Sequence, residues 1–230
     1  MYNDSPESYK FQNYDSGESY KFSFKITILE NRISFKITIL ENRCTQKMIE
    51  IYSERLRLIP LDNQLLTIWR TQSRNAMETK LGLNSSQWQV SDFDRIETED
   101  ALINFWIPMT AEHQGDFFWF TNWDIVLESE NVSIGGIGFA GFPDQDGVTM
   151  VGYFIDGNHR EKGYATEALH CLINWAKLEP SLKTIIADTP FFNFPSQNVL
   201  KKAGFKEFSI SEIEHLNEKI QAKNWRLELL

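Results

Sequence analysis

The feature that most constrains the fold of this chain lies between Val151 and Ala176, where an apolar run, a glycine-bearing turn and an amphipathic segment follow one another directly. Val151-Gly152-Tyr153-Phe154-Ile155 is short, apolar and aromatic, which suits a buried strand. Beyond it, Ala165, Ala168, Leu169, Leu172, Ile173 and Ala176 recur at helical spacing, with Thr166, Glu167, His170, Asn174 and Lys177 on the other side. That pattern is a helix with one face committed to a core. The helix stops at Glu179-Pro180, and Lys183 to Thr189 reads as a buried strand. A strand that returns through a crossover helix lies parallel to its predecessor, so the chain is expected to contain a parallel strand pair.

The flanking segments predict antiparallel structure. Phe117 to Leu127, Val132 to Phe142 and Val148 to Ile155 are separated by two turn sequences, Glu128-Ser129-Glu130-Asn131 and Pro143-Asp144-Gln145-Asp146-Gly147, and so read as a meander. Upstream, Leu56 to Leu61 alternates as a strand, and Asp62 stands as N-cap for a helix carrying Leu65, Leu66, Ile68 and Trp69. A second helix is expected from about Thr98 to Ile107, ending before Pro108, with Lys80 to Asp94 irregular. Downstream, a short helix from Pro195 to Ala203 closes on Gly204. Alternation around Phe205 to Ile210 and Trp225 to Leu229 predicts two more strands.

The first 47 residues repeat themselves. Asp4 to Phe11 recurs as Asp15 to Phe22, and Ser23 to Arg32 recurs identically as Ser34 to Arg43, each at a spacing of 11. Alternation in Phe24, Ile26, Ile28 and in Phe35, Ile37, Ile39 predicts a hairpin turning near Asn31 and Arg32. Two copies are too few for a solenoid. Residues 1–47 therefore read as an appendage that adds nothing to catalysis, and residues 48–230, opening at Met48, as one domain.

The 230 residues carry 23 Lys and Arg against 32 Asp and Glu, a net charge of −9, with no basic stripe to track a phosphate backbone, so nucleic acid is not expected as a partner. Cys44 and Cys171 lie far apart and indicate neither a disulfide framework nor a metal site. No apolar run approaches the roughly 20 residues of a spanning helix. The expectation is a soluble, cytoplasmic protein without a membrane partner.

Arg160-Glu161-Lys162-Gly163-Tyr164-Ala165 fits the pattern Arg/Gln-x-x-Gly-x-Gly/Ala. A turn that opens a helix presents uncommitted N–H groups at the positive end of the helix dipole, and small residues let an anion approach the backbone. The pattern is short and common, and its place between a strand and the most amphipathic helix gives it weight. A second segment, Asn193-x-x-Ser196-x-x-Val199-Leu200-Lys201-Lys202-Ala203-Gly204-Phe205, follows the next strand.

In order, spacing and context the two segments resemble the GNAT superfamily, in particular the branch containing the ribosomal-protein N-terminal (alanine/serine) acetyltransferases. The resemblance runs from about Tyr52 to Phe208, and Ser53-Glu54-Arg55-Leu56-Arg57-Leu58 is similar to that branch's opening, Thr/Ser-Glu-Arg-Leu-x-Leu. It implies an α/β (α+β) fold with a mixed, mostly antiparallel central sheet and flanking helices, in which the strand at 148–155 splays from its parallel partner at 183–189. Acetyl-CoA, the implied acyl donor, lies in that slot. By the resemblance, backbone groups of Phe154, Ile155 and Asp156 pair with the pantetheine arm. The amides of Arg160, Glu161, Lys162, Gly163, Tyr164 and Ala165 hold the pyrophosphate, and Asn193 contacts the arm from the other side.

The implied reaction is direct attack of a primary amine on the thioester in a ternary complex, with a backbone N–H near Phe154 as oxyanion donor. The acceptor is a protein N-terminus or a small amine, and the reading allows a homodimer. Two family features are replaced. Leu200 stands where many relatives place a tyrosine acid, which leaves Ser196 either as its substitute or as a first-turn helix serine. Met150 stands where a glutamate base is common. Among other carboxylates, Asp188 lies on the strand lining the expected slot, facing either into it or away, and Asp124 and Glu128 sit on a meander strand, while His159 beside the phosphate loop reads as a solvated turn residue. Seven tryptophans are present, and Trp119 and Trp123 read as core or as acceptor lining. Two further readings stay open: an antibiotic or polyamine acetyltransferase, and a fold member that binds acyl-CoA with little or no catalysis.

Overall fold

The computed structural model describes residues 19–28, 33–42, 47–215 and 218–229. Strands β1 (Ser19–Ile28), β2 (Ile33–Asn42), β3 (Lys47–Tyr52) and β4 (Leu56–Pro60) open the chain. Helices α1 (Asn63–Thr71), α2 (Arg74–Lys80), α3 (Asp92–Ala101) and α4 (Ile107–Glu112) follow. Then come β5 (Trp123–Leu127), β6 (Val132–Phe139), β7 (Val148–Ile155), α5 (Tyr164–Ala176), β8 (Thr184–Pro190), α6 (Phe194–Lys202), β9 (Lys206–His215) and β10 (Glu218–Glu228). The strands align in the order β1-β2-β3-β4-β5-β6-β7-β8-β10-β9. Every neighbouring pair is antiparallel except β7 and β8, which the crossover through α5 makes parallel.

The duplicated segments form β1 and β2, which pair with each other and, through β3, extend the sheet at one end. The turn expected at Asn31 and Arg32 lies outside the described residues.

One face of the sheet packs on α5 and α6 around Trp123, Ile125, Ile137, Phe139, Val151, Ile185, Leu172 and Trp225. Asn174 was expected on the solvent side of α5 and is instead buried, next to Trp175, on which Phe118 and Trp119 pack. Cys171 is buried within α5, and burial pushes its thiol up to about 12, which makes it inert as a nucleophile. The other face carries smaller clusters around Leu61, Leu66, Met77 and Leu102 and around Ile59, Leu83 and Val126.

Several boundaries differ from the periodicity: β9 runs on to His215 and β10 starts at Glu218, well beyond the strands expected at Phe205 to Ile210 and Trp225 to Leu229. The strand expected from Phe117 begins at Trp123, because Phe117–Trp119 forms a 3-10 turn whose rings join the Trp175 cluster. The strand expected to reach Phe142 ends at Phe139, ahead of Gly141, whose φ of 134° an L side chain rarely adopts. The helix expected to stop before Pro108 starts earlier, at Asp92 with Ser91 as N-cap, and runs through that proline to Glu112. Proline removes an N–H and crowds the preceding turn, and the helix accommodates it with a widened π turn at Leu102–Trp106. Among the described residues no helix is long and apolar enough to cross a membrane.

Leu172 is fully buried between α5 and the sheet. Leu172→Ala is expected to lower the unfolding free energy by about 2–5 kcal/mol, read as a reduced urea midpoint with an unchanged slope.

Candidate functional site

The strands β7 and β8 share only three rungs, Val148 with Thr184, Thr149 with Ile185 and Met150 with Ile186. Beyond Met150 they part, while β7 stays paired with β6 through Ile155 and β8 stays paired with β10 through Pro190. A gap therefore opens inside the sheet, lined by backbone that has lost one neighbour.

Ladder parity decides which groups face it. Ala140 N–H bonds to Met150 O and Asp156 N–H bonds to Ile134 O, so the even-numbered residues of β7 direct their backbone groups into β6. Phe154 is among them, opposite Gly136, and a Cβ built on Gly135 would stand 2.3 Å from Phe154 O. The N–H of Phe154 is thus committed to β6, and the groups turned to the gap belong to Tyr153 and Ile155. Asp156 offers nothing to the gap either. Its carboxylate accepts from Gln89 N–H at 2.5 Å and contacts His159 Nδ1 at 2.7 Å, and its carbonyl accepts from His159 N–H. His159 is accordingly a half-buried member of this turn and not a solvated one.

At the mouth of the gap the chain turns into α5. Glu161 and Gly163 take left-handed conformations, φ 63° and 83°, and Gly163 stands as an N-cap without a side-chain hydrogen bond. Among the described residues, the backbone N–H groups of residues 161–166 have no acceptor, the first helical bond being Glu167 N–H to Gly163 O. Successive free N–H groups in such a turn, at a helix N-terminus, form a concavity suited to phosphate oxygens. Arg160 borders it, donating from Nε to Ile155 O at 2.9 Å and pairing with Asp94 of α3 at 2.9 Å. The concavity, the small side chain of Ala165 and the adjoining gap together fit the diphosphate and extended arm of an acyl-CoA.

A clamp that the sequence did not reveal holds this turn. Arg55 pairs with Glu167 of α5 at 2.6 Å, donates to Lys162 O at 3.1 Å and lies 4.5 Å over the Tyr164 ring. Ser53 Oγ and Arg55 N–H both donate to the same Glu167 carboxylate. The Ser53-to-Leu58 opening thus does physical work beneath the anion loop; its only signal in the sequence was the motif itself.

Across the gap, Asn193 caps α6 by accepting from Ser196 N–H at 3.1 Å, which leaves its amide NH2 as a donor. Ser196 meets Tyr153: the phenol oxygen lies 3.0 Å from Ser196 Oγ and 3.1 Å from Ser196 O. Burial raises the Tyr153 phenol to about 12, so it stays protonated at neutral pH. Leu200 is wholly buried in the core, and its side chain has no proton to give.

On the face away from α5, Trp88 packs edge-on against Phe154 at 4.9 Å, and Arg74 stacks under Trp88 at 3.2 Å and beside Trp69 at 4.7 Å. Arg74 also binds Asp124 at 2.6 Å and Glu78 at 3.0 Å. Asp124 is fully buried, and desolvation raises its pKa against the pull of Arg74. It holds the Arg74–Trp88 wall and is not exposed to a substrate. Glu128 is paired with Arg57 at 3.2 Å, and Trp119 and Trp123 are core residues.

The GNAT acetyltransferase domain model matches residues 55–206. The chain belongs to the GNAT acetyltransferase family. It is 33% identical over 159 residues, 69% of this chain and 90% of the relative, to the uncharacterized N-acetyltransferase YjdG of Bacillus subtilis (strain 168). The fold is similar to that of the Salmonella typhimurium acetyltransferase that modifies the N-terminal serine of ribosomal protein L7/L12, with TM-score 0.55 and 16% identity over 77% of this chain and 96% of that one. It is also similar to RimL, the ribosomal L7/L12 α-N-protein acetyltransferase, in complex with coenzyme A, with TM-score 0.56 and 14% identity over 77% and 96% of the two chains. As a GNAT protein, the chain is an acyl-CoA-dependent acetyltransferase, and the gap between β7 and β8 is the feature of its sheet that a parallel pair alone does not require.

Two substitutions probe the anion loop by thermal shift with acetyl-CoA. Gly163→Glu places a side chain on a left-handed backbone, with its Cβ 3.5 Å from Arg55 Nη2, and by straining the turn and drawing Arg55 from its clamp is expected to abolish the ligand-induced rise in Tm. Arg55→Ala, which frees the loop from its clamp, is expected to weaken acetyl-CoA by on the order of tenfold, about 1.4 kcal/mol, in calorimetric titration.

Proposed function

We propose that this protein transfers an acetyl group from acetyl-CoA to a primary amine, a protein N-terminus or a small amine, by direct attack without a covalent enzyme intermediate. The observation that carries this reading is the run of acceptor-less N–H groups at residues 161–166, placed at the mouth of a gap lined by free backbone. Acetyl-CoA supplies the activated thioester. The amides of Glu161 to Thr166 take its diphosphate, that of Arg160 being bonded to Gly157 O; the backbone of Ile155 and the amide of Asn193 take its arm, and Phe154 with Trp88 walls the acceptor side. The N–H of Tyr153, nearest the point where the strands part, takes the charge that develops on the carbonyl oxygen, a role worth about 3–4 kcal/mol for a single donor elsewhere. Ser196 and Tyr153, linked at 3.0 Å, form the proton source for the departing thiolate.

The protein N-terminus is favoured by the ribosomal-protein acetyltransferases among the structural neighbours, which act on such a terminus themselves. We further infer that residues 48–230 carry the activity and that residues 1–47 add nothing to it, since the family match begins at residue 55.

The test is thermal shift with acetyl-CoA, then thiol release with Ala- and Ser-starting peptides, spermidine and an aminoglycoside. Acetyl-CoA at a hundredfold its Kd is expected to stabilise the chain by about 2.7 kcal/mol, with thiol released for at least one amine. No stabilisation overturns the reading; stabilisation without thiol release supports a binding protein instead. Tyr153→Phe is expected to keep the shift and to lower kcat on the order of 10²-fold. Because the folded phenol titrates near 12 against an ordinary 10.0, the stability it contributes is present below pH 10 and lost as pH rises towards 12, and Tyr153→Phe is expected to flatten that loss in alkaline denaturation.

A further inference from the structure

Sequence and family leave the amine's proton without a receiver, since Met150 replaces the usual glutamate. Most carboxylates near the slot are already engaged: Asp124 with Arg74, Glu128 with Arg57, Asp156 with Gln89 and His159, and Asp94 with Arg160. Asp188 is different. Its neighbours Ile185 and Ala187 point into the core under α5, so strand alternation turns Asp188 to the opposite face. Gly152 and Phe154 of β7 share that face, because Val151 and Ile155 belong to the core.

Register fixes the level. The last rung of the parallel pair is Met150 with Ile186, so two residues on, Gly152 and Asp188 stand opposite each other where the gap begins. A Cβ built on Gly152 would meet nothing within 4 Å, whereas one on Gly136 or Gly138 would collide with Asn122 or Thr121. The space over Gly152 is therefore open, and Asp188 borders it. Asp188 is half-buried, and Asn224, directly opposite on β10, donates from Nδ2 to Asp188 Oδ1 at 2.6 Å. Asn224 is itself fixed, donating to Ser211 Oγ at 3.0 Å and contacting Ser209 Oγ at 3.1 Å. Among the described residues the second oxygen of Asp188 has no hydrogen-bond partner.

We propose that Asp188 receives the acceptor's ammonium group and takes its proton, with Asn224 as the positioning residue that aims the free oxygen at the space over Gly152. The proposal rests on the acetyl-transfer reading. An ammonium has three protons to place. One passes to Asp188 and on to solvent, freeing the nitrogen lone pair to form the C–N bond. As the C–S bond breaks, a second reaches the coenzyme's sulfur by way of the Ser196 and Tyr153 hydroxyls, and the third stays on the amide. The groups around Asp188 do not compete for that proton. From β7 come Met150, Gly152 and Phe154, none titratable. From β10, Arg226 is paired with Glu228 and Lys223 with Glu207 of β9, and from β9 Ser209 and Ser211 are neutral.

The test compares the full chain with Asp188→Asn and Asp188→Glu, using an Ala-starting peptide, spermidine and trifluoroethylamine, a weakly basic amine already neutral at pH 7. Asp188→Asn is expected to keep the wild-type acetyl-CoA thermal shift and to lose on the order of 10²–10³-fold in kcat/KM for the two basic probes. The loss is expected to shrink as pH rises and the amine deprotonates unaided, and to be small for trifluoroethylamine at all pH values. Asp188→Glu, which keeps a carboxylate, is expected to recover part of the rate. Wild-type turnover matched by Asp188→Asn, or an equal loss for basic and weakly basic amines, overturns the assignment alone. A wild type that binds acetyl-CoA and releases no thiol overturns the acetyl-transfer reading and this assignment with it.

Discussion

The rest of the structure depends on the parting of β7 and β8 after three rungs. A buried backbone amide without a partner costs about as much as a lost hydrogen bond, so a sheet that opens in its interior needs strong support on both flanks. It has that support here. β6 holds β7 through Ile155, β10 holds β8 through Pro190, and α5 packs beneath both strands with Leu169 and Leu172 fully buried. The backbone groups of Tyr153 and the N–H of Ile155 remain with fixed direction, while Ile155 O is held by Arg160 Nε. Nothing has to reorganise for them to engage an extended ligand that completes the ladder.

Charge is arranged around that gap with the same economy. A chain of net charge −9 offers few cations for an anionic ligand. The loop at 161–166 presents unbonded backbone N–H groups instead, and its nearest cations are spent locally. Arg55 is bound to Glu167 and Lys162 O, and Arg160 to Ile155 O and Asp94. The arginines shape the concavity, and the amides face it. On the opposite face, the buried Arg74–Asp124–Glu78 group fixes Trp88, and through it the position of Phe154.

Much of this was legible in the residues, for local reasons. The stripe on α5, the cap at Asp62 and the glycine at the end of α6 are periodic or stereochemical signals, and each element lies where those signals put it, within a residue or two. What escaped depended on partners distant in sequence. The 3-10 turn at Phe117–Trp119 exists because Trp175 is there to receive its rings. The helix crosses Pro108 because a π turn absorbs the lost hydrogen bond. Which backbone groups of β7 face the gap is a matter of register parity, which a strand's own sequence does not encode; hence Phe154 and Asp156 were named beside Ile155, whereas parity turns Tyr153 and Ile155 to the gap. The Tyr153–Ser196 contact spans 43 residues and left no mark in either segment alone.

The duplicated strands have a consequence of another kind. Each copy of the second repeat contributes to one strand, and β1 and β2 pair from Ser19 with Asn42 to Ile28 with Ile33. Such a unit is added at the rim of the sheet, where the newest strand needs only the backbone edge of the one before it. Lengthening by another copy would move that edge outward by about 4.8 Å and leave every contact around the gap as it was. Among the described strands the duplicated pair thus forms one margin of the sheet, with β1 six strands along from β7, so the length of the sheet and the shape of its interior gap are separate matters of structure.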